Sequence, residues 1–220
     1  MRVTHLHKLI SEPRYKRYLS VCGKHQKAIK LYRANIILSQ KLFSLIAVFE
    51  VILRNAIDKH MSAEKGSSWL EDSASPGGYL DTNKGCEDSY HYVQQAMQSL
   101  GKKYCHNSLI AKLTLGFWKH QFGPKEYSAA GSTLISIFYC RPHGTKQKDI
   151  LQKLTQINEL RNRIAHHEPI CFERDKISTS RAKRRYETII ELLQWLGCDH
   201  KKILYGIDGV IKSIESIEKI

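Results

Sequence analysis

From position 36 to 61 the chain reads IILSQKLFSLIAVFEVILRNAIDKHM. Apolar residues recur at Leu42, Leu45, Ile46, Phe49, Ile52, Leu53, Ala56 and Ile57. This i, i+3, i+4 rhythm sets one stripe of an α-helix against a core. A second stripe, Ile150, Leu154, Ile157, Leu160 and Ile164, starts near Lys148. Its helix must stop near His167, because Glu168 precedes Pro169 and the residue before a proline is pushed out of α geometry. Further helical patterns cover roughly 90–103, 108–121, 128–139, 179–196 and 201–219, with Gly197 splitting the last two. Between about 62 and 89 the rhythm gives way to Ser, Gly and Asp, including SASPGGY, which predicts a long loop with a short turn at Ser68-Trp69-Leu70. There is no alternating pattern of useful length and no repeat of fixed period. The expected architecture is therefore all-α, a single domain over 1–220. It should be a bundle of about six to eight helices in which the two longest apolar stripes pack together.

Composition adds a bias towards polyanions. The formal net charge is +14, and basic residues recur at Arg14, Lys16 and Arg17, along 24–30, and most densely along 174–185. Such an excess attracts nucleic acid and speeds its encounter. The cations are spread over the chain instead of collecting on one amphipathic helix, which argues against a membrane-surface role. The six cysteines, Cys22, Cys86, Cys105, Cys140, Cys171 and Cys198, show neither a CxxC pair nor a disulfide-scaffold spacing, and they read as reduced thiols. The start, MRVTHLHKLISEPRYKRYL, has no apolar core of signal-peptide length, and no later run reads as a membrane span. The expectation is a cytoplasmic protein.

Candidate chemistry gathers at LRNRIAHHEPI, from Leu160 to Ile170, in the last turns of the second long helix. At roughly 100° per residue, Asn162 and His166 stack one turn apart while Arg161 falls about 50° from the centre of the apolar stripe. An arginine aimed inward needs a partner, since a buried unpaired charge is too costly. Glu50, if the two long helices are neighbours, is a candidate. One reading is structural: Arg161 forms an ion pair and His166 is an exposed imidazole favourable to the helix dipole. The other is an RNA-cleaving site. Cleavage without a metal needs a base for the 2′-hydroxyl, an acid for the leaving 5′-oxygen and a cation for the phosphate. Histidine titrates near neutrality, arginine grips phosphate through two bonds, and Asn162 could orient either group. An earlier echo, LRNAIDKH from Leu53 to His60, places Arg54 and Asn55 in similar order, with Glu50 one turn before Arg54 and His60 near the apolar stripe as a packed core histidine.

Three stretches in register, FEVILRNAID, AKLTLGFWKHQF and NELRNRIAHHEPI, together with SEPRYKRYL and AIKLYRANIILS, resemble the Abi-like (abortive infection) proteins of bacteria from about Ser11 to Ile170. These belong to the wider HEPN superfamily, whose signature is an arginine and a histidine separated by four to six residues. Arg161 to His166, with four residues between, satisfies it. The resemblance implies a metal-independent endoribonuclease needing no cofactor, acting in phage defence or as a toxin, and usually a homodimer that brings two motifs together. Its products would carry 2′,3′-cyclic phosphate and 5′-hydroxyl ends, and an inhibitory RNA or protein partner is compatible with it. In this reading Arg161, Asn162 and His166 are catalytic. Glu50, Arg54, Asn55 and His167 support them, and Arg163, Lys183, Arg184 and Arg185 hold RNA backbone. A second motif would also ease the roughly 140° divergence of Arg161 and His166 on one straight helix. Many relatives have a tyrosine two residues after the histidine; here Glu168 takes that place.

Other chemistries fit less well. Cys22-Gly-Lys-His25 and Cys140-Arg-Pro-His143 each lack the second half of a zinc site, and PGGY lacks the Lys-Ser/Thr of a phosphate-binding loop. Leu113, Leu115, Phe117, Trp118 and Phe122 read as packing positions instead of a base-stacking platform. The alternative from another functional class is a non-catalytic RNA-binding or regulatory protein using the same basic surface, and a third is a helical subunit whose charge meets an acidic protein.

Overall fold

Pro13 in the first turn and a left-handed Gly23 at the end bound the first helix, α1 (Glu12–Cys22), each placed where its backbone preference fits. The computed structural model describes residues 10–220. After α1 comes α2 (His25–Lys65), whose 41 residues extend the predicted stripe at both ends. There follow α3 (Trp69–Ser73), α4 (Tyr79–Thr82), α5 (Glu87–Leu100), α6 (His106–Lys112), α7 (Leu115–His120) and α8 (Pro124–Ala129). The chain continues through α9 (Gln147–Ala165), α10 (Ser180–Trp195), α11 (His200–Ile203) and α12 (Val210–Glu218). Between α9 and α10 lies a short antiparallel hairpin, β1 (Phe172–Glu173) paired with β2 (Lys176–Ile177). Among the described residues the protein is all-α apart from this hairpin.

The helices outnumber the expected six to eight because punctuation inside the predicted segments is stronger than their periodicity. The expected loop at about 62–89 contains α3 and α4, held by the buried side chains of Trp69, Leu70 and Leu80. The pattern over 108–121 breaks where Leu113 and Thr114 adopt extended backbone. That over 128–139 is displaced by a proline-started α8, which ends before Gly131 at φ 108°. Gly206, at φ 75°, lies in the gap between α11 and α12.

The described chain divides into two compact units. The first comprises residues up to Ile46, Leu160–Ile189 and Leu204–Ile220; the second comprises Ala47–Glu159 and Ile190–Ile203. Helices α2, α9 and α10 contribute residues to both. In the first unit Leu31, Leu38, Leu42 and Leu45 of α2 are buried together with Tyr18, Ile164, Phe172, Ile189 and Ile214. In the second, Trp69, Trp118, Phe122 and Phe138 are fully buried, and Leu113, Leu115 and Phe117 of the aromatic stripe are buried as well.

Contrary to the expectation that no run reads as a span, α2 is apolar enough to cross a membrane by length and composition. Its buried stripe is core in each unit, but Ile36, Ile37, Phe43 and Val51 are exposed. The outer face over this stretch therefore mixes these apolar residues with Gln40, Lys41 and Glu50.

Candidate functional site

Helix α9 ends in a device that fixes the whole LRNRIAHHEPI segment. The Glu168 N–H donates to the Arg163 carbonyl at 2.8 Å and the His167 N–H to the Ile164 carbonyl at 2.9 Å. This is the paired bonding of a Schellman C-cap. Its left-handed position, usually glycine, is filled by His167 at φ 56°, a conformation costing a side-chain-bearing residue on the order of 1–2 kcal/mol. The chain beyond is fastened twice. Arg163 donates from Nε to Glu168 Oε2 at 3.1 Å and from Nη2 to the Pro169 carbonyl at 2.6 Å, and the Ile170 N–H donates to Asn35 Oδ1 at 2.9 Å.

These bonds reassign one residue. Arg163, expected to hold RNA backbone, has its guanidinium engaged by the helix end it belongs to. The predicted catalytic residues stand one to two turns earlier and at the cap itself. Arg161 is half-buried, and instead of being enclosed it turns its Nη1 to Asn162 Oδ1 at 3.4 Å, a long and weak contact. The length of the arginine side chain lets it cross the angle that separates the two positions on the helix. Asn162 and His166 are exposed, and the His166 N–H donates to the Asn162 carbonyl at 2.9 Å. Among the described residues the His166 ring makes no hydrogen bond, so both ring nitrogens are open to a ligand.

Beside this end of α9 the first unit has a cleft of about 570 Å³. Arg14 and Tyr18 of α1 line it, with Tyr32, Asn35, Ile36, Ser39, Gln40 and Phe43 of α2 and Ile164, Ala165, His167 and Glu168 at the end of α9. Asn35 is only 5% exposed. Sequence reasoning missed it, although a lone amide between Leu31 and Leu38 on an otherwise apolar stripe is a detectable signal. His167, expected only as support, is the histidine on the cleft wall.

Electrostatics separates the two units. The described part of the first carries eighteen Lys and Arg against eight Asp and Glu, whereas the second carries fifteen against thirteen. The α9 end and the cleft thus belong to the unit that carries most of the positive excess. Lys183 and Arg184 are exposed on α10, with Arg184 3.8 Å from Glu173, while Arg185 is half-buried. Of the remaining supporting candidates, all in the second unit, Glu50 is half-buried, Asn55 is exposed, and Arg54 has its Nε buried without a hydrogen-bond partner.

A polar cluster that the sequence did not reveal lies in the second unit. Asp58 Oδ1 accepts Trp69 Nε1–H at 2.8 Å and stands 2.7 Å from His106 Nε2. His60, expected as a packed core histidine, is half-buried and hydrogen-bonds Thr133 Oγ1 at 2.9 Å, which itself donates to Glu64. Both arrangements tie α2 to neighbouring segments of its own unit and read as structural.

No family model, no curated protein and no solved structure matches this chain.

Proposed function

We propose that the protein is a metal-independent endoribonuclease of the HEPN type, acting in phage defence by abortive infection or as a toxin. The observation that carries this reading is the end of α9, where Arg161 meets Asn162 and the exposed His166 ring makes no hydrogen bond among the described residues. The concentration of positive charge in the same unit adds to it, as does the resemblance of the motif to the superfamily signature.

In this mechanism His166 removes the proton of the 2′-hydroxyl or delivers one to the departing 5′-oxygen. The 2′-oxygen attacks phosphorus, the P–O5′ bond breaks, and a 2′,3′-cyclic phosphate remains. Arg161 binds the phosphate and offsets the charge that grows on its oxygens. Asn162, in weak contact with the guanidinium, helps to orient it. A single histidine supplies one of the two proton transfers, and a second copy of the motif from a homodimer supplies the other.

One observation favours the non-catalytic alternative: Arg163, inside the motif, serves the helix cap, so part of the motif has a structural use. RNA cleavage in the presence of EDTA separates the two readings. Cutting that is lost in Arg161→Ala and His166→Ala supports the nuclease, and RNA binding without any cutting supports the alternative.

A further inference from the structure

The cleft along α2 has a composition suited to an unpaired base. From Tyr32 to Phe43 it extends about 16 Å at the helical rise, long enough for more than one nucleotide. Tyr32, Ile36 and Phe43 offer apolar surface, and Phe43 is 43% exposed on it. Polar groups are few and spaced: Ser39, Gln40 and Asn35. Because Asn35 Oδ1 is held by the Ile170 N–H, its Nδ2 is the group left to donate, on a side chain fixed by burial. Arg14 supplies positive charge at the wall, His167 adds an imidazole, and the one carboxylate among the lining residues, Glu168, is paired with Arg163. Apolar and aromatic faces, a prepositioned amide and a net positive unit are the ingredients of a single-stranded RNA groove.

We propose that this cleft binds single-stranded RNA next to the scissile phosphate, taking one base against Phe43 and reading its edge through Gln40, while Asn35, about 12 Å from Phe43 along the helix, meets a neighbouring nucleotide. The proposal rests on the endoribonuclease reading for its link to the phosphate. It has a consequence of its own, because the cleft then sets which sequence is cut. His167, which lines the cleft and follows the proposed catalytic His166 in the chain, links the two subsites.

The test uses the full chain and four homopolymeric 2′-O-methyl hexanucleotides, one for each base, which lack the nucleophile and cannot be cut. Affinity is measured by calorimetry for wild type, Gln40→Ala and Phe43→Ala, with sedimentation velocity run alongside. The expected result is a preference among the four oligonucleotides and about a fivefold or greater loss of affinity in Phe43→Ala. A flatter base preference is expected in Gln40→Ala. Unchanged affinity and base preference in both variants overturns the proposal, as does binding to none of the four. So does a Phe43→Ala protein that changes only its association state, because the cleft would then be a protein-contact surface. None of these readouts depends on catalysis. Failure of the nuclease reading registers separately, as absence of cutting of ordinary RNA by wild type.

Discussion

The side-chain oxygen of Asn35 accepts the Ile170 N–H at 2.9 Å, joining α2 to a residue 135 positions later and fixing the chain that leaves the LRNRIAHHEPI helix. Both groups are buried. Replacing Asn35 by alanine leaves a buried donor without a partner, which costs about 1–3 kcal/mol. Urea denaturation should show that loss as a lowered midpoint with an unchanged slope.

Arg163→Ala should remove the two bonds to Glu168 and the Pro169 carbonyl. The pair with Glu168 is partly exposed, so solvent screening reduces its value, and the expected total loss is about 1 kcal/mol. Arg163→Lys should restore little of it, because an ammonium cannot span two acceptors as the planar fork does. The salt dependence of RNA affinity should stay the same in both variants, since this cation is already engaged by protein. A shallower salt slope would return Arg163 to the RNA-binding surface.

His167 occupies a backbone conformation that glycine adopts freely. His167→Gly should relieve a left-handed strain on the order of 1–2 kcal/mol while adding unfolded-state entropy worth about 0.5–1 kcal/mol. The net expectation is a protein equally stable or up to about 1.5 kcal/mol more stable, with a weaker hold on RNA. Thermal unfolding beside oligonucleotide binding checks both halves. A gain in stability with RNA affinity fully retained would remove His167 from the functional surface.

The thiols should differ in reactivity. Hydrogen bonding from Ser108 lowers the pKa of the exposed Cys105 from the ordinary thiol value, while burial pushes Cys171 up to about 12. A lowered pKa enlarges the thiolate fraction near pH 7–8 and a raised one suppresses it. Iodoacetamide at pH 7.5 should therefore modify Cys105 first and leave Cys171 intact until the protein unfolds, as followed by mass spectrometry of the peptides.

Much of the helical framework is legible in the sequence because buried stripes on long helices have a clear period. The Leu42-to-Ile57 stripe and the Ile150-to-Ile164 stripe both appear in α2 and α9, and Glu168-Pro169 marks the stop within two residues. Short helices escape, because α3 and α4 are held by a few buried anchors such as Trp69 and Leu80, which have no period to detect. Side-chain destinations escape too. A projection sends Arg161 inward by its Cβ direction, yet its flexible stem brings the guanidinium to Asn162. Likewise, the spacing of basic residues could not distinguish Arg163, committed to its own helix end, from the exposed Lys183 and Arg184. The Asn35 tie to Ile170 joins distant positions, and a local pattern carries no information about such a pair.

The central claim is tested most directly by incubating the purified protein with total cellular RNA in EDTA and mapping the ends produced. Wild type should cut, leaving 2′,3′-cyclic phosphate and 5′-hydroxyl ends. Arg161→Ala and His166→Ala should retain the wild-type fold by circular dichroism and lose that cutting. Undiminished cleavage in the double variant, or intact RNA with wild type, would contradict the claim.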